Sequence, residues 1–152
     1  EALGPEVEVC AVQLPGREER IDEAPFTRLG PLLDALEQYV VPTLRRPFAC
    51  FGHSMGALVA FELARRLAAR GVQGPAQLVL SGCPAPRARG HLAPIHALPE
   101  PQFREALRRS GGTPPEVLED EELMQIYSPL LRADFAVGET WPDASGPALG
   151  CP

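Results

Sequence analysis

The chain has 152 residues, 45% hydrophobic and 22% charged, with a formal net charge of −6. That is enough apolar material for one ordinary core and too much for wholesale disorder, and the acidic balance argues against nucleic acid as the main partner, since phosphate contact needs a basic stripe. No stretch is long and apolar enough to cross a bilayer and no charged-then-apolar leader opens the chain, so a soluble, cytoplasmic protein without a membrane partner is expected.

Taken in chain order, residues 7–14 (VEVCAVQL) are short and apolar and predict a buried strand. Pro15-Gly16 forces a turn, and the stretch to Phe26 is polar and loop-like. Residues 31–44 carry Leu32, Leu33, Leu36, Val40 and Leu44 at helical spacing, with Pro31 suited to a first turn and Pro42 disturbing the last one. Residues 48–51 (FACF) predict a second strand. A helix to about Arg70 follows, with Ala60, Leu63, Ala64, Leu67 and Ala68 on one face and Gly71 as its stop. Residues 77–80 (QLVL) predict a third strand, so the order implies a parallel sheet with helical crossovers.

After Pro84 the rhythm changes. Two helical stretches, about 101–109 and 121–133, are separated by Gly111-Gly112-Thr113-Pro114-Pro115 with no strand between them. They are expected to form an insertion over the sheet. The expected division is a core over residues 1–84, a helical lid over 85–138 and a return toward the sheet over 139–152. Because position 1 is Glu and the chain stops at Cys151-Pro152, it is expected to be a fragment cut at both ends.

The four cysteines (Cys10, Cys50, Cys83, Cys151) show no C-x-x-C and match no zinc or redox spacing, so no metal site is expected. Cys10 and Cys50 fall in apolar runs and are expected to be buried, unreactive thiols.

The chemistry-bearing signal is Gly52-His53-Ser54-Met55-Gly56, which fits G-x-S-x-G, with an apolar strand before it and an amphipathic helix after it. That pattern makes a tight strand-to-helix turn that lifts the Ser54 hydroxyl to the carboxyl end of the sheet. The glycines at both flanks let backbone approach closely. The Met55 backbone N–H faces the place where an oxyanion would develop, and the new helix adds its positive dipole end. Ser54 is therefore the candidate nucleophile. A serine needs a base oriented by a carboxylate, and in this class the order is Ser, then acid, then His. His53 lies inside the elbow and should point away from the hydroxyl; His91 and His96 suit lid packing or solvent; Asp134 suits a solvated or capping carboxylate. No acid and base for Ser54 are identified in the sequence.

Several ordered blocks together resemble the type II thioesterases, the free-standing editing enzymes of nonribosomal peptide and polyketide assembly. They are Leu14-Pro15-Gly16-Arg17-Glu18 with Arg20; Phe51 to Ala57 with Phe61-Glu62-Leu63-Ala64; Ser81-Gly82 with Ala85-Pro86; Ile95-His96-Ala97-Leu98-Pro99; Gly111-Gly112-Thr113-Pro114; and Leu131-Arg132-Ala133-Asp134 with Glu139-Thr140. The resemblance implies an α/β-hydrolase-type doubly wound parallel sheet, incomplete here, with an inserted helical lid. It implies hydrolysis of acyl groups from the phosphopantetheine arm of acyl or peptidyl carrier proteins, with Ser54 acylated, Met55 as oxyanion donor, the lid shaping the acyl pocket and no resident cofactor. Glu100 and Trp141 stand where the family often has Asp and Tyr, and Gly150 where Asp is common. The family's early strand with its Gly-rich oxyanion loop has no counterpart, and its triad Asp and His follow the segment resembling Cys151-Pro152. The isolated chain is therefore expected to be nearly inactive. A carboxylesterase or lipase of the same fold, an acyltransferase and a non-catalytic carrier-docking fragment are the alternatives.

Overall fold

The computed structural model describes residues 4–44, 47–84, 93–141 and 148–151. Helix α1 spans Leu29–Tyr39 and buries Leu29, Leu32, Leu33 and Leu36. Pro31 is its third residue, where an N–H has no intrahelical acceptor to lose. The helix stops before Pro42, and a single 3-10 turn, Val41–Thr43, carries the chain on.

Strand β1 (Ala49–His53) leads through one residue into helix α2 (Met55–Ala69), and strand β2 (Gln77–Ser81) returns parallel to β1. The register runs from Ala49 opposite Gln77 to His53 opposite Ser81. Gly71, at φ 66°, ends α2 in the left-handed region that glycine adopts without cost. Leucines of α1 interdigitate with Leu58, Val59, Leu63 and Leu67 of α2, and Val137 joins this core from the last helix. Glu37 is buried at the α1–α2 contact, where Arg66 and Arg70 both reach its carboxylate.

Three helices follow: α3 (Glu100–Ser110), α4 (Pro115–Glu119) and α5 (Glu121–Glu139). They build a second apolar cluster of Phe103, Leu107, Leu118 and Met124, against which Leu131 and Phe135 pack. Phe103 and Phe135 meet edge to face, 6.1 Å between centroids. Asp120 caps α5 by accepting from the amides of Glu122 and Leu123. No helix among the described residues is long and apolar enough to cross a membrane.

Four expectations are corrected. Residues 7–14 are not a buried strand: they form no ladder, and Val9 is 73% exposed. An apolar extended segment becomes a strand only when a neighbour takes its N–H and C=O groups, and β1 and β2 pair only with each other among the described residues. Cys10 is exposed for the same reason, whereas Cys50 is partly covered in β1. The described residues after 93 form three helices, not two. Pro115 opens α4, its missing N–H being one the first turn does not need. Helix α5 runs six residues past Ala133, because Ala136 and Val137 extend its buried stripe to Glu139.

Candidate active site

β1, α2 and β2 place Ser54. It sits between the strand and the helix at φ 52°, ψ −118°, a conformation that costs a non-glycine residue of order 1–3 kcal/mol. Two bonds hold the bend. The Ser54 amide donates to the Ser81 carbonyl at 2.9 Å, continuing the β1–β2 ladder by one rung. The Ala57 amide donates to the Ser54 carbonyl at 3.1 Å, closing the first turn of α2.

Gly52 is required sterically: a Cβ there would lie 2.1 Å from the Gly56 carbonyl oxygen. Gly56 is different, since a Cβ at that position meets nothing within 4 Å. The close approach expected at both flanks therefore belongs to Gly52. Ser54 is exposed, and its hydroxyl has no partner among the described residues. Met55 opens α2, so its N–H is one of the helix-terminal amides without an intrahelical acceptor.

His53 turns away from Ser54. Its Nδ1 lies 3.0 Å from the Ser81 hydroxyl, and its ring covers Gly82, where a Cβ would meet Cε1 at 2.5 Å. Gly82, at φ 62°, thus leaves room for the histidine. His96 packs in the helical region: its Nδ1 contacts Glu139, whose carboxylate also accepts the Ile95 amide at 2.8 Å and the His96 amide at 3.2 Å. Neither is positioned as a base for Ser54. His91 lies outside the described residues, as do Ala85 and Pro86. Burial, and then the neighbouring Cys151, push the Cys50 thiol up, which favours its unreactive protonated form.

Two features escaped the reading of the sequence. Asp134 is neither solvated nor a cap: it lies inside α5, and Arg17 Nη2 donates to both of its oxygens. Arg132 organises the entry to α3, donating to the carbonyls of His96 and Leu98 at 2.7 Å each and to Glu100 at 2.8 Å. Its guanidinium stacks on Phe103, 4.1 Å from the centroid. Charged residues on helices normally read as solvated, and only their separation in sequence from these partners, closed by the fold, shows otherwise.

A serine held at positive φ between a parallel strand and the helix behind it is the nucleophile elbow of the α/β-hydrolase fold, the class that uses such a serine for acyl transfer. The thioesterase domain family matches residues 1–149. The chain is 42% identical over 147 residues to the gramicidin S biosynthesis protein GrsT of Aneurinibacillus migulanus, covering 97% of this chain and 57% of that protein. RedJ, a thioesterase of the prodiginine pathway in Streptomyces coelicolor, superposes with a TM-score of 0.87 at 38% identity, covering 98% of this chain and 59% of RedJ. YbtT, a type II thioesterase of the yersiniabactin pathway, gives 0.72 at 37% identity, covering 85% of this chain and 52% of YbtT. The chain belongs to the thioesterase domain family, and spans a little over half the length of these relatives.

Proposed function

We propose that the protein is a serine thioesterase that clears acyl groups from the phosphopantetheine arm of acyl or peptidyl carrier proteins in peptide or polyketide assembly. The observation that carries this reading is the strained, exposed Ser54 at the carboxyl end of β1 in a chain of the thioesterase family. Relatives in gramicidin S, prodiginine and yersiniabactin biosynthesis support the substrate class. The Ser54 hydroxyl attacks the thioester carbonyl and loses its proton to a base that is neither His53 nor His96. The Met55 N–H stabilises the tetrahedral oxyanion, the arm leaves as its thiol, and water then releases the acid from the Ser54 ester. No resident cofactor enters these steps, because the arm arrives with the substrate. Helices α3, α4 and α5 act as a lid that shapes the acyl pocket.

The test compares hydrolysis of an acyl-carrier thioester with that of a simple oxygen ester by the full-length protein. Preference for the thioester, abolished in Ser54→Ala, is the expected result; equal rates on both would favour a general esterase.

A further inference from the structure

We propose that Arg17 is a positioning residue for this reaction, holding helix α5 on the core so that the acyl pocket keeps its wall. This rests on the thioesterase reading above. Residues 13–20 form a self-stitched loop. The Gly16 amide donates to the Arg20 carbonyl at 2.8 Å, the Arg20 side chain to the Gln13 carbonyl at 2.8 Å, the Gln13 side chain to the Arg17 carbonyl at 3.2 Å, and Arg17 Nη1 to the Pro15 carbonyl at 3.1 Å. The loop therefore presents Arg17 already oriented, and Nη2 closes on both oxygens of Asp134, 117 positions away. One turn earlier on the same helix, Leu130 packs so close to Gly16 that a Cβ there would sit 3.2 Å from Leu130 Cδ1. A side chain at that point would be strained by the φ of 83° and would also need its neighbours to give by a few tenths of an ångström.

Two further observations separate a positioning role from general stability. Among the described residues only two non-glycines are held at positive φ: Ser54, and Glu18 at 46°, next to Arg17. Strain of this kind persists where geometry is over-determined by its surroundings. Burial drives the Asp134 carboxyl above the ordinary aspartate range even though Arg17 opposes it, so this ion pair adds little net stability while still fixing a direction. The anchored part of α5 matters to the site because its Val137 shares the core that Met55 packs against. Pro129 lies inside the helix just before the anchored part begins, and without an N–H it leaves the turn before it one backbone bond short.

The test is hydrogen exchange combined with steady-state kinetics on Arg17→Ala, Asp134→Asn and Arg17→Lys. Since one nitrogen makes both contacts to Asp134, lysine can keep them and loses only the Nη1 bond to the Pro15 carbonyl. Amides 130–139 are expected to exchange about tenfold faster in Arg17→Ala and Asp134→Asn, with protection largely restored in Arg17→Lys and β1 and α2 unaffected. On a long-acyl carrier thioester KM should rise about tenfold in the first two variants with kcat within about twofold, and return toward the parent value in Arg17→Lys. Unchanged protection in α5, or equal acceleration throughout the core, overturns the proposal. Faster exchange with unaltered KM and kcat reduces Arg17 to a structural contact and overturns it as well. Absence of thioester hydrolysis by the parent protein sinks the enzymatic reading instead, and the exchange result then decides alone whether Arg17 holds α5.

Discussion

The amide of Ser54 donates to the carbonyl of Ser81 at 2.9 Å, so the bend that exposes the nucleophile is bonded to the end of the neighbouring strand. The elbow is thus not a local property of five residues. Its position depends on the β1–β2 register, in which His53 pairs with Ser81, and on α2 packing behind both strands. Shifting β2 by one residue would remove this bond and the His53–Ser81 contact together.

The dihedrals of Ser54 make a first prediction. Glycine adopts φ 52°, ψ −118° with little strain, at the cost of about 0.5–1 kcal/mol of extra chain entropy. Ser54→Gly should therefore raise unfolding free energy by roughly 1 kcal/mol while abolishing thioester hydrolysis. Urea denaturation of parent and variant checks this, and a variant less stable than the parent would show that the elbow stores no strain.

Gly52→Ala should have the opposite effect. Its Cβ would lie 2.1 Å from one backbone atom and 2.6 Å from another, the Ala57 nitrogen, and neither can rotate away. A loss of about 3 kcal/mol or more is expected, together with the elbow geometry. Gly56→Ala, with open space around the new methyl, should be far milder in this chain. Measuring the pair together makes the test internal.

Glu37 tests the α1–α2 contact. Its side chain is 7% exposed, and it faces Arg66 and Arg70. Glu37→Ala should cost roughly 1.5–3 kcal/mol, as expected for charge-assisted bonds lost at a mostly buried site. Arg70→Ala should cost less, since Arg70 is 63% exposed and Arg66 remains to pair Glu37. Equal losses in thermal unfolding would contradict this ordering.

Acid should loosen the α3–α5 region. Burial raises the Glu100 carboxyl, but bonds from Arg132, Ser128 and Arg104 outweigh it and leave it below the ordinary glutamate range. Because the folded-state value is depressed, the stabilisation is present above the unfolded value near pH 4.3 and is lost as pH falls through the lower folded value. Asp134 has the opposite sign: its raised value favours the fold at low pH, and that contribution fades as pH rises through it. Glu100→Gln should flatten the acid limb of stability between about pH 5 and about pH 3, and denaturation curves across that range read it directly.

Much of this was legible without coordinates. The periodicity of residues 31–44 and of the stretch to Arg70 predicted α1 and α2, because an amphipathic stripe 3.6 residues apart has only one way to bury itself, although α1 begins at Leu29 and ends at Tyr39. G-x-S-x-G between an apolar run and that stripe located the elbow, since the glycine and the change of period are both local facts. His53 was also readable, because alternation along a strand turns it away from the residue that follows.

What stayed hidden was whatever depends on a distant neighbour. Residues 7–14 have the composition of a strand, but composition does not supply the partner that makes one. Helix α5 outran its expected end because Val137 found a place in the core built by α1 and α2. Arg17 and Asp134 each look like ordinary surface charges. Only the fold closes the 117 positions between them, since pairing across that interval depends on packing summed over the whole chain rather than on any local pattern.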